Sequence, residues 1–355
     1  MPIEKIDTDH FLKLSQELRV IDVRSPGEYN HAHIPGAFNV PLFTDKQRAI
    51  IGTAYKNQSR QAAVNHGLEF FSERMKTIPA EIENIIIREK QQTESPFHLE
   101  DNEAGILIYC WRGGMRSGAV AWLMSLYGLR IYTLNGGYKA FRNWALAQFE
   151  KHYSLKVLGG YTGSGKTDIL KELEKNGKTT IDLECLANHK GSAFGSLGEQ
   201  PQPSHEMFEN RLALQLWKAN NKEIWIEDES VHIGTVGIPK VFWQQMRDSP
   251  LYFIDIPFCE RVGNIEKTYS IFDKKNLIDC TLKIQKRLGG LNTKKAIQFF
   301  SENNFREAFS ILIEYYDKMY GKSLNNRRNF ESLKKVTCNN IDCADIAKRL
   351  SLSIS

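Results

Sequence analysis

KVLGGYTGSGKTDILKEL, residues 156–173, reads as an apolar strand, a glycine loop and a helix in immediate succession. Inside it, Gly160 to Thr167 (GYTGSGKT) fits G-x-x-x-x-G-K-[ST], and the flanking strand and helix supply the context that this pattern needs. Gly160, Gly163, Ser164 and Gly165 let backbone amides close on a phosphate. Lys166 adds a point charge, and the Thr167 hydroxyl can ligate Mg²⁺. The stretch predicts a P-loop NTPase-like α/β unit whose chemistry is phosphate binding.

Downstream, EIWIEDES (223–230) and LYFIDIP (251–257) are two more short buried strands. The first ends in Glu227, Asp228 and Glu229, which either hold a metal and orient water or form a solvated strand end. No clear base-recognition motif and no obvious arginine finger accompany them. The loop therefore serves a nucleotide or a diphosphate of another kind. After residue 260 the pattern turns helical, in IEKTYSIFDKKNLIDCTLKIQKRLGG and FREAFSILIEYYDKMYGKSL. Residues 256–355 hold 18 Lys+Arg against 11 Asp+Glu, leaving 29 against 31 in the rest of the chain. Such an excess is a nucleic-acid footprint or a solvated lysine-rich surface. Trp217, Trp225 and Trp243 could stack on a base, but core packing suits their spacing better.

Upstream, strand and helix alternate: RVIDVRS (19–25), GILIYC (105–110) and RIYTLNGG (130–137) as strands, GAVAWLMSLYG (118–128) as a helix. That alternation predicts a parallel sheet covered on both faces. Residues 43–100 read as a mostly polar helical insertion, with QQTESPFHLEDNE as a surface loop. We expect two domains, 1–150 and 151–355, with 261–355 mostly helical and basic, and a boundary near Phe149 to Ser154.

At 355 residues, 41% hydrophobic and 25% charged, the composition is that of a globular protein, with no apolar run of bilayer-spanning length and no signal-peptide core. The expectation is a cytoplasmic protein with no membrane partner. Six cysteines stand at 110, 185, 259, 280, 338 and 343, without CxxC pairing or zinc-like spacing. Five of them read as buried small apolar residues, and no certain metal site emerges.

Cys110 is different. In YCWRGGMRS (109–117), a strand delivers the thiol to a loop of Arg112, Gly113, Gly114 and Arg116 that closes onto a helix. Convergent amides, a helix N-terminus and arginine all favour negative charge, so the thiol pKa should fall. The same cradle can hold an oxyanion, or a persulfide or perselenide on the cysteine. The spacing C-x5-R fits both cysteine-dependent phosphatases and rhodanese-type chalcogen carriers. VIDVRSPGEYNHAHIPGAFNVP (20–41) resembles the N-terminal rhodanese signature, with His31 and His33 as structural residues, and LNGGYKAFRNW (134–144) resembles the C-terminal one.

Taken together, the chain resembles the bacterial tRNA 2-selenouridine synthases. YCWRGGMRS, GGYTGSGKT, DLECLANHKGSAFG (182–195), the IEDES strand end and IQKRLGG (284–290) all look like stretches of that family. The resemblance implies a rhodanese-like domain followed by a P-loop domain, and a substrate that is tRNA carrying wobble 2-thiouridine. It implies that geranyl diphosphate alkylates the sulfur and that selenium from selenophosphate then replaces the S-geranyl group. No tightly bound cofactor is expected, Mg²⁺ at the P-loop being the possibility that Thr167 offers, and the resemblance implies a functional link to a selenophosphate-producing enzyme. Cys110 would carry selenium covalently as a perselenide, or position selenophosphate with Arg112 and Arg116. His189, with Asn188, Lys190 and Gly191 beside it, is a candidate for orienting substrate, as are Glu227 and Asp228. Lys283, Lys286 and Arg287, then Lys274 and Lys275, are candidates for holding tRNA. Competing readings are an ATP-coupled sulfurtransferase with a Cys110 persulfide, a C-x5-R phosphatase, and a tRNA-binding regulator.

Overall fold

The computed structural model describes residues 3–90, 105–325 and 333–352, so the predicted surface loop QQTESPFHLEDNE lies outside the described residues. The chain divides into two compact units, Met1–Ala147 and Gln148–Ser355.

The first unit runs β1 (Ile3–Ile6), α1 (Thr8–Leu14), β2 (Arg19–Asp22), α2 (Pro26–His31) and β3 (Phe38–Asn39). Three helices follow, α3 (Asp45–Asn57), α4 (Arg60–Arg74) and α5 (Ile78–Lys90). Then come β4 (Gly105–Tyr109), α6 (Met115–Leu126), β5 (Arg130–Leu134) and α7 (Gly137–Gln148). The strands form a parallel sheet in the order β1-β5-β4-β2-β3. Its middle strands are apolar on both faces because helices cover both, with Ile21, Val23, Ile106, Ile108, Val120 and Met124 buried together. β1 was not foreseen: it is an edge strand with only Ile6 buried, so IEKI carries little apolar signal.

A buried ion pair ties two strand ends together. Arg24 Nη2 donates to Asp22 Oδ2 (2.6 Å) and to the Ala32 carbonyl (2.8 Å), while the Tyr109 hydroxyl donates to the same Asp22 oxygen (2.7 Å). Removing one partner of such a pair leaves an uncompensated buried charge, at a cost of about 3–5 kcal/mol. Its effect here is positional: it clamps the end of β2 to the end of β4, where the cysteine loop begins.

The second unit runs β6 (Leu155–Gly160), α8 (Lys166–Lys175), β7 (Thr179–Ile181), α9 (Leu183–Ala187), α10 (His205–Ala219) and β8 (Ile224–Glu227). A short hairpin, β9 (His232–Ile233) and β10 (Val236–Gly237), leads to α11 (Lys240–Asp248) and β11 (Leu251–Asp255). A helical segment follows: α12 (Phe258–Tyr269), α13 (Lys274–Lys283), α14 (Gln285–Leu288), α15 (Gly290–Ser301) and α16 (Phe305–Asn325). The chain returns through β12 (Leu333–Thr337) to α17 (Cys343–Leu352).

This sheet is also parallel, in the order β12-β11-β6-β8-β7. β6, which leads into the phosphate loop, is therefore central, with the acidic end of β8 beside it. The mostly helical 261–355 segment also contains β12, an edge strand rich in exposed lysine. Edge lysines of this kind hide a strand from pattern reading and block further pairing. Two apolar clusters hold the unit: one under the sheet around Leu158, Leu173, Trp225 and Ile254, the other among the later helices around Phe194, Leu277, Phe300 and Phe309.

Candidate active sites: a cysteine loop and a phosphate cavity

Cys110 follows β4 directly and is buried at 3% exposure. Its loop is pinned by the start of α7: the Tyr138 amide donates to the Cys110 carbonyl (2.8 Å) and the Lys139 amide to the Trp111 carbonyl (3.0 Å). Gly137 makes this approach feasible. It adopts φ +60°, and a side chain there would collide with the Cys110 carbonyl oxygen and the Gly113 amide nitrogen.

The Cys110 sulfur lies 3.2 Å from the Ser117 hydroxyl. Burial pushes the thiol up, but hydrogen bonds from the Ser117 hydroxyl and amide, the Arg116 charge and the Gly114 amide outweigh it. The net pKa falls below the ordinary thiol value. Arg112 and Gly114 are exposed, and Gly113 is half-buried. Arg116 is held from behind, its Nη1 donating to Glu28 Oε2 at 2.7 Å. Glu28 is also the last member of the α2 capping box, so the helix N-terminus and the arginine share one carboxylate. Ser117 and Glu28 were not singled out in the sequence. Ser117 closes the nine-residue motif itself, whereas Glu28 is 88 residues from Arg116 and only folding joins them.

Of the other cysteines, Cys280 and Cys338 are buried, but Cys185 and Cys259 are exposed and Cys343 is partly so. Cys259 is on α12 and Cys185, on the short α9, lines the cavity described below, which corrects the expectation of five buried ones. His33, on the predicted structural turn, stacks on Tyr29 at 3.9 Å.

In the second unit the phosphate loop opens into a cavity of about 970 Å³. Gly160, Gly163, Ser164, Gly165, Lys166 and Thr167 line one end of it. Gly163 adopts φ +85°, and a side chain there would strike the Arg261 carbonyl and Ile265, so the position requires glycine on both counts. Helix α12 braces the loop from that side: Asn264 Nδ2 donates to the Gly163 carbonyl (3.0 Å) and Arg261 Nη1 to the Thr162 carbonyl (3.1 Å).

Behind the loop lies a cluster of carboxyls. The Thr167 hydroxyl is 2.9 Å from Glu227 Oε1 and 3.3 Å from Glu184 Oε2. Glu227 is fully buried, and its Oε2 has no partner; nor does the buried Ser164 hydroxyl. Burial first, then the charges of Glu184, Asp182 and Glu229, hold the Glu227 carboxyl well above the usual range. Burial and Glu184 likewise push Glu229 up to about 8, and burial raises Asp182 and Glu184. The folded chain therefore keeps protons that an unfolded chain has released from the carboxylate range upwards. Stability without bound cations should fall as pH rises from about 4.5 to about 8, and Glu229→Gln should flatten the fall. Thermal melting in chelator across that window checks this; a melting temperature that climbs with pH would contradict it.

Asp228 and Glu229 line the cavity. The Tyr320 hydroxyl donates to Asp228 Oδ2 (2.6 Å) and the Trp243 indole to the Glu229 carbonyl (3.1 Å). Trp225 is fully buried in the core, and Trp243 lines the cavity. Asn188, Lys190 and Gly191 also line it, but His189 does not: it is 9% exposed, its Nδ1 faces Gly195 and has no partner. Asn188, immediately before it, ends α9 in the left-handed conformation. Lys283 and Lys286 are exposed on α13 and α14, whereas Arg287 reaches the cavity rim. Lys274 is occupied with the Ser301 carbonyl (3.0 Å), and Lys275 is exposed.

One wall of the cavity, running on from the phosphate loop, is apolar and was not read from the sequence. Ile265 and Tyr269 of α12 and Phe309, Leu312, Ile313, Tyr316 and Tyr320 of α16 form it, together with Phe194. The helical spacing of FREAFSILIEYYDKMY was visible; that one face of it borders a cavity rather than a core was not.

Comparison with known proteins agrees with both units. Residues 7–143 match the Rhodanese-like domain family and residues 153–345 the tRNA 2-selenouridine synthase AAA domain family. A tRNA 2-selenouridine synthase of Nitrosomonas europaea is 37% identical over 257 residues, 70% of this chain and 63% of that protein. One of Bdellovibrio bacteriovorus is 37% identical over 279 residues, 76% of this chain and 69% of that protein. One of a Sulfurovum species is 33% identical over 335 residues, 85% of this chain and 87% of that protein. A cysteine loop on one parallel sheet and a phosphate loop on a second, in an order and with sequences shared over most of these relatives, make this chain a member of the tRNA 2-selenouridine synthase family.

Proposed function

We propose that the protein is a transferase that makes 2-selenouridine at the wobble position of tRNA, by two transfers assigned to its two loops. Family membership supports the tRNA substrate, and with it a cytoplasmic location. No described helix is long and apolar enough to cross a membrane.

The first transfer is geranylation. The sulfur of 2-thiouridine attacks the first carbon of geranyl diphosphate, and the carbon–oxygen bond to diphosphate breaks as the carbon–sulfur bond forms. The leaving diphosphate is stabilised by Lys166 and the amides of Gly163 to Thr167. The observation that carries this reading is the cavity itself: a phosphate loop and an apolar, aromatic helix face line the same space. A nucleotide would not need the hydrocarbon wall.

The residues also fit Mg²⁺. The partnerless Glu227 oxygen and the Thr167 hydroxyl are hard oxygen donors at the loop. Among the described residues no group of three or more His, Cys, Asp and Glu side chains could hold a metal by itself, so diphosphate and water would complete the shell. When bound, the ion would supply charge neutralisation to the leaving group. The Thr167–Glu227 pair also favours a second reading, nucleotide hydrolysis coupled to sulfur transfer.

The second transfer belongs to the Cys110 loop. A selenium nucleophile adds at C2 and the S-geranyl group leaves as a thiol. Selenophosphate carries selenium at the selenide level, so a Cys110 perselenide requires a two-electron oxidant among the reactants. The redox-neutral step has the Cys110 thiolate take the phosphoryl group and release selenide, and water then takes the phosphoryl group from sulfur as inorganic phosphate, restoring the thiolate. Arg112, Arg116 and the loop amides would hold the phosphoryl oxygens, and selenophosphate implies an enzyme that makes it.

Nucleoside mass spectrometry after incubation with 2-thiouridine tRNA, geranyl diphosphate and selenophosphate, each omitted in turn, tests the whole scheme. S-geranyl-2-thiouridine should accumulate without selenophosphate, and selenouridine should require both. Unchanged nucleosides alongside tRNA-stimulated ATP hydrolysis would favour the second reading instead. For tRNA binding, charge reversal at Lys283, Lys286 and Arg287 should raise the dissociation constant. The slope of log affinity against log salt should become shallower by about one for each phosphate left unneutralised. An unchanged salt slope would remove these residues from the interface.

A further inference from the structure

The apolar arm of the cavity has a built end. Helices α12 and α16 run antiparallel away from the phosphate loop. At the loop, Asn264 touches Gly163, Arg261 pairs with Asp317 (2.7 Å), and Tyr320 reaches Asp228. One helical turn beyond Ile265, which meets Gly163, three rings that all line the cavity close on one another: Phe194 to Tyr269 at 6.0 Å, Phe194 to Phe309 at 6.3 Å and Tyr269 to Phe309 at 6.2 Å.

We propose that this aromatic triangle is the end-stop that sets which prenyl chain length the protein accepts. The proposal rests on the geranyl-transfer reading and deepens it. Three observations support a rigid stop rather than a yielding wall. Phe309 and Phe194 are 2% and 4% exposed and belong to the core of the helical segment. Phe309 is also packed on Phe300 (5.2 Å), so it cannot swing away from the cavity without opening that core. The loop bearing Phe194 is tied to α16, where the Tyr316 hydroxyl accepts from the Ala193 amide (3.2 Å). Leu312, three residues nearer the phosphate loop on the same face, lies along the path that a hydrocarbon tail would take.

The lining then predicts opposite effects from opposite volume changes. Phe309→Leu deepens the arm, and Leu312→Phe shortens it. With full-length protein and 2-thiouridine tRNA, kcat/KM is measured for five-, ten- and fifteen-carbon prenyl diphosphates. Phe309→Leu should raise the fifteen-to-ten-carbon ratio by about tenfold, and Leu312→Phe should raise the five-to-ten-carbon ratio by a similar factor. Ratios that stay at the wild-type value in both variants, while absolute rates fall together, would overturn the end-stop and leave geranyl transfer standing. Wild-type protein that transfers none of the three groups would overturn the geranyl reading and the end-stop with it.

Discussion

Cys110→Ser is expected to lower selenation by about 10³-fold or more while S-geranylation continues, so that S-geranyl-2-thiouridine accumulates in a complete reaction mixture. The argument starts from geometry. The thiol sits at the end of β4, with the Ser117 hydroxyl and the Gly114 and Ser117 amides directed at it and the Arg116 charge nearby. Each favours thiolate over thiol, and together they overcome a burial that alone would raise the pKa. A serine hydroxyl in that cradle stays protonated at neutral pH and is a poor nucleophile there. Thiol alkylation of the wild type should accordingly follow an apparent pKa below the ordinary thiol value. Selenation that persists in Cys110→Ser but disappears in Cys110→Ala would reduce Cys110 to a hydrogen-bonding group and end its role as nucleophile.

Lys166→Ala is expected to lower geranyl transfer by about 10²–10³-fold, and selenation with it, because the second step needs the product of the first. Lys166 lines the cavity at the start of α8, and its ammonium is 3.4 Å from the Gly160 carbonyl, so in the structure it lies folded along the loop. A diphosphate would draw it away from that weak contact onto a leaving group. The two variants separate the loops: one stops the pathway before the S-geranyl nucleoside, the other after it. Geranylation at wild-type rate in Lys166→Ala would detach the phosphate loop from the alkylation step.

Much of this was legible from local pattern. The strands RVID, GILIY and LYFID and the loop GYTGSGKT declare themselves because their information is contiguous: a buried parallel strand is a run of apolar residues, and a phosphate loop is a fixed spacing of glycines. Edge strands declare themselves poorly. IEKI and LKKVT each bury little and carry charge, and they were found only once β5 and β11 offered them partners. The surroundings of His189 were hard to read for a related reason. Its glycine-rich neighbourhood resembles a functional loop, and that the ring is 9% exposed follows from how the loop packs, which residue type does not record.

By itself the sequence determined the two α/β units, the cysteine and phosphate loops and the family, because each depends on residues adjacent along the chain. Only the tertiary structure decided what surrounds those loops. Glu28 behind Arg116, the Glu184 and Glu227 carboxyls behind Thr167, and the ring triangle of Phe194, Tyr269 and Phe309 join residues tens of positions apart. Such contacts form when parallel strands and packed helices bring distant segments to one end of a sheet, and no periodicity in the chain records which segments will meet there.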